Sequence, residues 1–214
     1  MLMPQTIRLE VCPQGDTRVE ELEYDVYSRA GYILPNPQRK VLENEDYPDH
    51  DVIAAFVDER LVGSARLVVD PNPRPDMFTL HCFKPFDLWP WAERLLRDVR
   101  PDRLMQGGTM VIHEDYRGGP VFQAMFQKMI EWSMRECIHY AVATIDEGFF
   151  KRLQQRNVPF IAMGDTRYYM GSRTVPAMIA RDWVTRGAVP ADILALAQQH
   201  AEMEPAATTA ACGA

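Results

Sequence analysis

The sequence predicts an α+β fold in which helices flank a mixed central β-sheet. One observation is the stretch 106–140, which has the pattern of a strand, a glycine turn, a helix and a second strand. Another is a pair of apolar runs, 52–57 and 61–69, separated by a short polar turn at 58–60, which is typical of a hairpin. Strands joined through a helix pair in parallel and strands of a hairpin pair antiparallel, so the sheet is expected to be mixed.

The first half of the chain is predicted to begin with a strand and a helix. Residues 6–11 alternate polar and apolar side chains, as a strand does. The helix that follows can be capped by Asp16 or Thr17, and it runs to about Ala30, with Gly31 as its stop signal. Its apolar face consists of Val19, Leu22, Val26 and Tyr27.

The second half is predicted to add further helices and short strands around the central unit. A helix begins at Pro90 within 83–99, after a proline-rich break at 70–75. Asp146 is predicted to cap another helix, which ends with Asn157 as its left-handed C-cap. The remaining predicted elements are a helix over 121–137, strands over 140–145 and 159–163, a strand that starts at 167–170, and a terminal helix from Pro190 to about Met203, with 174–179 leading toward it.

Composition and charge are those of an ordinary globular protein. The 214 residues are 47% hydrophobic and 25% charged, which suits one domain over 1–204 followed by a disordered Ala/Thr-rich tail, 205–214. The net charge of -7 argues against nucleic acid and anionic membranes as partners. The following arginines could form a local basic patch for an acidic partner or a solvated helix face: Arg94, Arg97, Arg100 and Arg103.

The cysteines and the apolar runs indicate in which cellular compartment the protein is expected. Four cysteines show neither the spacing of a zinc site nor that of a disulfide framework, so we expect free thiols in a reducing cytoplasm and no bound metal. The N-terminus lacks the pattern of a secretory signal, and no apolar stretch is long enough to span a membrane.

The turn after the central strand is a candidate anion site. The apolar run 110–112 leads to Arg117, Gly118, Gly119 and Pro120, and then to a helix. The first amides of a helix have no internal partner, and the helix dipole favours negative charge there, so a phosphate or pyrophosphate could bind at these residues. The same spacing fits an ordinary strand-to-helix loop, since two adjacent glycines are weak evidence by themselves.

The central unit resembles the GNAT acyltransferase superfamily. The resemblance rests on residues 111–119, Val-Ile-His-Glu-Asp-Tyr-Arg-Gly-Gly, which look like that family's strand and pyrophosphate loop. It implies a GNAT-like αβα sandwich and a loop whose backbone amides hold a pantetheine-bearing donor. The loop here is about one residue shorter than in the family, because Pro120 follows Gly119 directly and removes one amide donor.

A narrower resemblance covers most of the chain and concerns the autoinducer-synthase-like branch. This branch contains acyl-homoserine-lactone synthases and long-chain N-acyl amino acid synthases, which join an acyl group, usually delivered on acyl carrier protein, to the amine of a small molecule. Residues 63–67, Gly-Ser-Ala-Arg-Leu, carry the resemblance best. The other matching segments are 24–27, Gly31-Tyr32, Glu45-Asp46 with Asp49, and 160–165 with Tyr169, Gly171 and Pro176.

The sequence departs from this branch at the start of the central strand. Its members typically carry a glutamate and, three residues on, an arginine, and the corresponding positions here are Gln106 and Thr109. Glutamine cannot act as a general base, so the base lies elsewhere, a water is activated differently, or the acceptor is a different one. The tyrosine that serves as general acid in many GNAT enzymes is also missing, since Leu153 occupies its place.

Resemblance and chemistry together indicate the candidate site residues. Amide formation from a thioester needs a base near the amine and donors for the oxyanion, which backbone amides at a bulge in the central strand can supply. An unperturbed imidazole titrates near neutrality, which suits His113 as the base. The predicted catalytic residues are Gln106, Thr109, His113 and Glu114, the donor-binding residues are Met110, Val111, Ile112, Arg117, Gly118 and Gly119, and the acceptor-binding residues are Asp46, Asp49 and Arg66.

Each of these assignments has a structural alternative. His113 could be a surface or cap histidine, and Arg66 could form a structural ion pair with a carboxylate. The acidic loop could be solvated instead of binding a cationic acceptor; it comprises Glu45, Asp46, Asp49 and Asp51. One set of side chains on the central helix could line an acyl channel or belong to the core: Phe122, Met125, Phe126, Met129 and Met134.

The sequence therefore predicts an N-acyltransferase without a permanently bound cofactor. It would move an acyl group from acyl carrier protein or coenzyme A to the amine of a small molecule such as an amino acid. One alternative is an acyl-homoserine-lactone synthase that uses S-adenosylmethionine, against which the missing glutamate–arginine pair weighs. Another is a non-catalytic GNAT-like domain that binds an acyl ligand or a protein partner, which Gln106 and the short glycine loop favour.

Overall fold

The computed structural model describes residues 6–47, 49–69, 83 and 85–202. The strands of this part of the chain are β1 (Ile7–Pro13), β2 (Asp51–Val57), β3 (Arg60–Val68), β4 (Leu104–Ile112), β5 (Tyr140–Asp146), β6 (Ile161–Ala162), β7 (Arg167–Tyr169) and β8 (Ser172–Ala180). Its α-helices are α1 (Thr17–Arg29), α2 (Pro90–Asp98), α3 (Pro120–Arg135), α4 (Glu147–Gln155), α5 (Arg181–Arg186) and α6 (Ala191–Glu202).

The strands form one mixed sheet, which confirms the predicted fold class. Their order is β1-β2-β3-β4-β5-β8-β6, and β7 also pairs with β8. Neighbouring strands are antiparallel except β4 and β5. These two are parallel because α3 carries the chain from the end of β4 back to the start of β5.

The parallel pair β4 and β5 separates soon after it forms. Their pairing covers only residues 104–106 of β4 and 140–142 of β5. β4 continues to Ile112 beside β3, and β5 continues to Asp146 beside β8. The sheet therefore opens between the two strands, and we call this opening the β4–β5 split.

A bulge interrupts β4 next to the split. The pairing with β3 shifts by one residue around Arg66, which lies opposite both Gly108 and Thr109. We call Gly108 and Thr109 the β4 bulge. The bulge expected from the chemistry of the oxyanion is thus present in the central strand.

One face of the sheet is covered by α3 and α4. Met125 and Trp132 of α3 pack with Ile53 and Met105 of the strands. The side chains of α4 join the same layer, because its Phe149 and Phe150 cluster with Phe122 of α3 and with Ile145 and Val175 of the sheet. We call this side the α3 face, and we call the cluster that Met125 and Trp132 form with the strands the α3 cluster.

The opposite face is covered by α1 and α2. Leu104 points away from its neighbour Met105 and packs with Trp91 of α2. Glu23 of α1 bonds to Ser64, which alternates along β3 with residues of the α3 cluster such as Ala65. We call this side the α1 face. The three layers form the predicted αβα sandwich.

Predicted helix ends are confirmed where the caps could be read from the sequence. Asp16 caps α1 by accepting from Arg18 N, and Asp146 caps α4 by accepting from Phe149 N at 2.9 Å. Asn157 has the expected left-handed backbone. These side chains satisfy amides that a helix start leaves unpaired.

Other elements differ from the prediction in their first or last residues, and one was not predicted. The hairpin turn holds two residues, Asp58 and Glu59, both left-handed, and Arg60 already belongs to β3. The strand predicted over 159–163 is reduced to Ile161–Ala162. α5 has no counterpart among the predicted elements, because a six-residue helix whose buried residue is Trp183 leaves no periodic pattern.

Some predictions fall outside the described residues. These are the break at 70–75, the tail 205–214 and the side chain of Asp46. The extent of the domain over 1–204 stays a prediction. Among the helices that can be described, none has both the length and the apolar character needed to cross a bilayer. In the same residues, no three or more His, Cys, Asp or Glu side chains are grouped as metal ligands would be.

Candidate active site

The β4 bulge and the β4–β5 split lie side by side on the central strand. A bulge interrupts the ladder, which frees backbone N–H groups to face a ligand. A side chain at Gly108 would not fit, because its Cβ would lie 3.0 Å from Arg66 Cβ and 3.2 Å from Tyr47 Cε2. The bare backbone of Gly108 therefore meets the ring of Tyr47, from the loop before β2.

A buried polar cluster supports the bulge from the α1 face. We call it the Glu23 cluster; its members are Glu23, Asn44, His50, Ser64 and Arg66. Arg66 donates to the Glu23 carboxylate from Nε at 3.0 Å and from Nη2 at 2.8 Å. Ser64 Oγ and Asn44 Nδ2 also donate to it, at 3.2 and 3.0 Å. Arg66 Nη1 lies 2.8 Å from His50 Nε2.

The ion pair at the centre of the Glu23 cluster is almost completely removed from solvent. The side chain of Arg66 is 5% exposed and that of Glu23 is 1% exposed. Burial raises the pKa of the Glu23 carboxyl, while the hydrogen bonds and positive charge of Arg66 oppose that rise. The cluster thus fixes α1 to β3 and to the 3₁₀ turn Leu42–Asp46.

Thr109 joins the β4 bulge to this cluster. Its Oγ1 donates to Asn44 Oδ1 at 2.6 Å. The Thr109 hydroxyl also lies beside the Tyr27 phenol. Burial raises the pKa of this phenol well above its ordinary value, so Tyr27 stays protonated.

Gln106 lies where the β4–β5 split begins. It is 3% exposed, and it is the last residue of β4 that pairs with β5. Its Nε2 has no hydrogen-bond partner among the described residues. Neither Gln106 nor Thr109 can take up a proton near neutral pH, so these predicted catalytic residues can only orient a substrate through hydrogen bonds that they donate or accept.

The predicted bases His113 and Glu114 lie at the outer end of β4. His113 Nδ1 accepts from Asp115 N at 3.3 Å, and its Nε2 lies 2.9 Å from Arg60 Nη2. Glu114 is exposed and pairs with Arg29 at 3.1 Å. Both side chains therefore already have partners, and their catalytic roles stay predictions.

The predicted donor loop has the geometry of an anion site. Gly118 is left-handed with φ 75°, Gly119 precedes the helix, and Pro120 is its first residue. No side chain caps α3, so its first amides are open to a ligand. Arg117 Nε donates to Ile112 O at 3.0 Å, which folds this side chain back over the end of β4.

The three apolar residues before the loop do not offer their side chains to a donor. Met110 and Ile112 pack in the α3 cluster, and Val111 is buried on the opposite face. If they line a bound thioester, they do so through their backbone. The donor-binding role of these three residues stays a prediction.

The predicted acceptor residues are not brought together by the described contacts. Arg66 is buried in its ion pair with Glu23, which is the structural alternative considered for it. Asp49 is exposed, and its Oδ1 accepts from Gln14 Nε2 at 2.5 Å. The acceptor role of Asp46, whose side chain lies outside the described residues, stays a prediction.

The methionines and phenylalanines of α3 divide between core and surface. Met125 is fully buried in the α3 cluster, whereas Met134 is 56% exposed at the far end of the helix. Phe122 packs against Phe126 and against Phe149 of α4, with ring centroids 5.8 and 5.5 Å apart. Met134 is thereby removed from the possible acyl channel, and Met125 is a core residue.

Tyr32, which follows α1, lies near the donor loop. Burial raises the pKa of its phenol, as does the nearby Asp146 carboxylate, while Arg117 and Arg152 act in the opposite direction. Tyr32 therefore lies among the charges of the donor loop and the start of α4. Its ring also packs edge-on against Tyr27, with centroids 5.4 Å apart.

Glu23 and Asn44 are absent from the predicted site, although one signal pointed to Glu23. A charged residue at position 23 interrupts the apolar face of α1 four residues after Val19 and four before Tyr27. Such a residue is buried only with a partner, which here is Arg66. Asn44 left no signal, because a loop asparagine is normally a solvated turn residue.

The predicted basic patch lies at the other end of the sheet. A surface groove of about 660 Å³ there is lined by Leu95, Asp98, Val99, Arg100, Arg103, His139 and Tyr140. Arg100 pairs with Asp102 at 2.7 Å, and Arg97 pairs with Glu93 at 3.3 Å. The patch is thus partly neutralised, and it adjoins the start of β4 whereas the donor loop follows its end.

Comparison with known proteins identifies the family. Residues 18–181 match the family described as N-acyl amino acid synthase FeeM. The chain belongs to this family. As a member of the FeeM family it is an amide-forming acyltransferase, which transfers an acyl group from a thioester to an amine. The predicted family, reaction class and fold are thereby confirmed.

Solved structures show the same fold at low sequence identity. FeeM, an N-acyl amino acid synthase from uncultured soil microbes, aligns with a TM-score of 0.62 and 12% identity over 88% of this chain and 98% of its own. The AHL synthase LasI has a TM-score of 0.62 and 13% identity over 87% and 98%. BjaI, a CoA-dependent acyl-homoserine lactone synthase, has a TM-score of 0.61 and 14% identity over 94% of this chain and 92% of its own. No curated protein matches in sequence.

Proposed function

We propose that this FeeM-family protein transfers an acyl group from a phosphopantetheine thioester, on acyl carrier protein or coenzyme A, to the amino group of an amino acid. The observation that carries the proposal is the β4–β5 split. It opens beside the β4 bulge and is followed at the end of β4 by the uncapped amides of α3. Phosphate, thioester and acyl chain can thus be bound in sequence along one strand.

The donor would bind with its phosphate at the loop Arg117–Gly119 and its thioester at the bulge. The backbone N–H groups near Gly108 and Thr109 would stabilise the oxyanion that forms when the amine attacks the carbonyl carbon. A C–N bond forms, the C–S bond breaks, and the proton that the amine nitrogen loses to the base balances the one that the leaving thiolate takes up. The Glu23 cluster serves this step by holding Thr109, and with it the bulge, in one position.

The acceptor would approach from the acidic loop before β2. The net charge there suits an ammonium group, and Asp46 and Asp49 stay the proposed residues for its recognition. Gln106 and Thr109 would act as neutral hydrogen-bonding groups. His113 stays the candidate base, but it lies four residues beyond Thr109, or about 13 Å along the strand, so it would act on the amine through bound water.

The reaction can be tested with a panel of donors and acceptors. Purified protein is incubated with acyl carrier protein and coenzyme A thioesters of several chain lengths, with pooled amino acids or with S-adenosylmethionine. Release of free thiol is followed, and the product is identified by mass spectrometry. Thiol release that depends on an amino acid and yields an N-acyl amino acid supports the proposal. An N-acyl-homoserine lactone, or no amine-dependent release from any donor, would contradict it.

The donor loop can be tested with two matched variants. Gly118 and Gly187 have similar left-handed φ values, 75° and 70°, and nothing lies within 4 Å of a Cβ built on either. Aspartate tolerates this backbone equally at both positions, but in Gly118→Asp it places a negative charge at the phosphate site. We expect the donor KM of Gly118→Asp to rise at least about tenfold. Gly187→Asp should leave it unchanged.

A further inference from the structure

Two buried N–H groups of the described residues have no hydrogen-bond partner. They are Gln106 Nε2 and Trp91 Nε1. Both residues are 3% exposed. Buried donors in folded proteins are nearly always paired, because an unpaired one loses its bonds to water without replacement. Two such groups therefore indicate a place where a ligand supplies the missing acceptor.

Both donors belong to the α1 face of the sheet. Trp91 packs in one apolar cluster with Leu104 and Val142. Gln106 follows Leu104 by two residues, so its side chain points to the same face, and it pairs in register with Val142. The two donors are thus in one layer, between α2 and the point where β4 and β5 separate.

The side chains that cluster around Trp91 are apolar apart from the indole N–H of Trp89, whose bond at 2.8 Å already occupies the neighbouring carboxylate, Asp165. Met163 and Met178 complete the cluster around Trp91 and Val142, and both are fully buried. Unbranched methionine side chains can rearrange around a flexible chain. An ionised group would be strongly disfavoured in this layer, so the missing acceptor is a neutral oxygen.

An acyl chain would reach this layer through the β4–β5 split. The pairing of β4 with β5 ends at Gln106 and Val142, so an acyl chain that comes from the donor loop would pass between the two strands to the α1 face. Gln106 lies at the apex of this passage, two residues before Gly108, or about 7 Å along the strand. A chain whose thioester is held at the bulge would pass Gln106 within its first few carbon atoms.

We propose that Gln106, with Trp91 behind it, makes the enzyme selective for acyl donors that carry a neutral oxygen, as a keto or hydroxyl group, close to the thioester. The proposal rests on the donor site described under Proposed function and adds the chemical class of the acyl group. A plain hydrocarbon chain would leave both donors unpaired, whereas a keto or hydroxyl oxygen can accept from one of them.

The test compares donors of equal chain length that are unsubstituted, keto-substituted or hydroxyl-substituted near the thioester. For the natural protein, kcat/KM should favour an oxygenated chain by about tenfold, which corresponds to about 1.4 kcal/mol. In Gln106→Leu, which lacks the amide N–H, this ratio should fall to near one. Trp91→Phe, which keeps a ring but lacks the indole N–H, should lower it partly. Gln155→Leu, on the exposed end of α4, is the control.

A second measurement does not need turnover. Because Gln106→Leu removes an unpaired buried donor, the ligand-free variant should melt at or above the temperature of the natural protein. Acyl-pantetheine chains with and without the oxygen are also titrated by calorimetry, which reports selectivity even if no amine is acylated. Equal binding and equal kcat/KM for both chains, or a ratio that persists in Gln106→Leu, would overturn the proposal. Activity without the preference would refute the inference alone and leave the acyltransferase proposal standing.

Discussion

Replacing Arg66 by methionine should destabilise the protein strongly, because it leaves Glu23 buried without its counter-ion. Arg66 and Glu23 are 5% and 1% exposed, and Arg66 reaches the carboxylate through Nε and Nη2. Removing one partner of such a pair typically costs about 3–5 kcal/mol. Since domains are commonly stable by about 5–15 kcal/mol, this loss is a large fraction of the total.

The destabilisation should depend on pH with a definite sign. Burial already raises the pKa of Glu23, and loss of the opposing Arg66 raises it further. A carboxyl whose pKa is higher in the folded than in the unfolded state contributes stability below the unfolded pKa and loses it as pH rises through the folded pKa. The deficit of Arg66→Met should therefore be smallest near pH 4–5, close to the unfolded glutamate pKa, and grow towards neutrality.

Urea unfolding at several pH values measures this effect. The double variant Glu23→Gln with Arg66→Met lacks the buried carboxyl and keeps His50 as the titrating group of the cluster, so its deficit should be smaller and should lack the rise above about pH 5 that the carboxylate causes. Arg97→Met, which breaks an exposed pair with Glu93, serves as the control and should cost at most about 1 kcal/mol. A loss below about 1 kcal/mol in Arg66→Met, or a deficit that shrinks as pH rises, would refute the reasoning.

Three further substitutions test the site and its support. Gly108→Ala forces a Cβ to within 3.2 Å of Tyr47 Cε2 and should lower kcat at least about tenfold in the thiol-release assay; unchanged kcat would show that the bulge is not used. Thr109→Val breaks the 2.6 Å bond to Asn44 and should reduce kcat more than it changes the acceptor KM, as steady-state kinetics would reveal. Asp146→Ala removes the cap of α4 and should lower the free energy of unfolding in urea by about 1 kcal/mol, whereas Asp146→Asn, which can still cap the helix, should keep most of the stability.

The elements that could be predicted from the sequence are those with local signals. Asp16 and Asp146 are caps that any sequence analysis can find, and the spacing of Met125, Met129 and Trp132 marks α3 as an amphipathic helix. β4 begins at Leu104, six residues before the apolar run 110–112 that marks this strand in the sequence. The glycines and the polar side chains that precede this run have low strand propensity, and pairing with β3 overrides it.

The geometry of the candidate site could be anticipated where the site is built from consecutive residues. The loop Arg117–Gly119 and Gln106 follow from the motif, because their geometry is set within one strand–turn–helix unit. Arg66 was placed with the acceptor, but its carboxylate partner is Glu23, which is distant in sequence and comes from another element. No local rule specifies which of several acidic residues a buried arginine will meet, since that depends on how α1 packs on β3.

The short ladder between β4 and β5 also bears on how the protein opens. Within the described residues, three positions on each strand supply the backbone pairing between the β1–β4 and β5–β8 parts of the sheet. Each part keeps its own antiparallel ladders. Amide protons of the two parts should therefore exchange with solvent as two separate cooperative units. The amides of 104–106 and 140–142 should exchange at the rate of the less stable part. The passage between the strands can then widen for a long substrate while both parts stay folded.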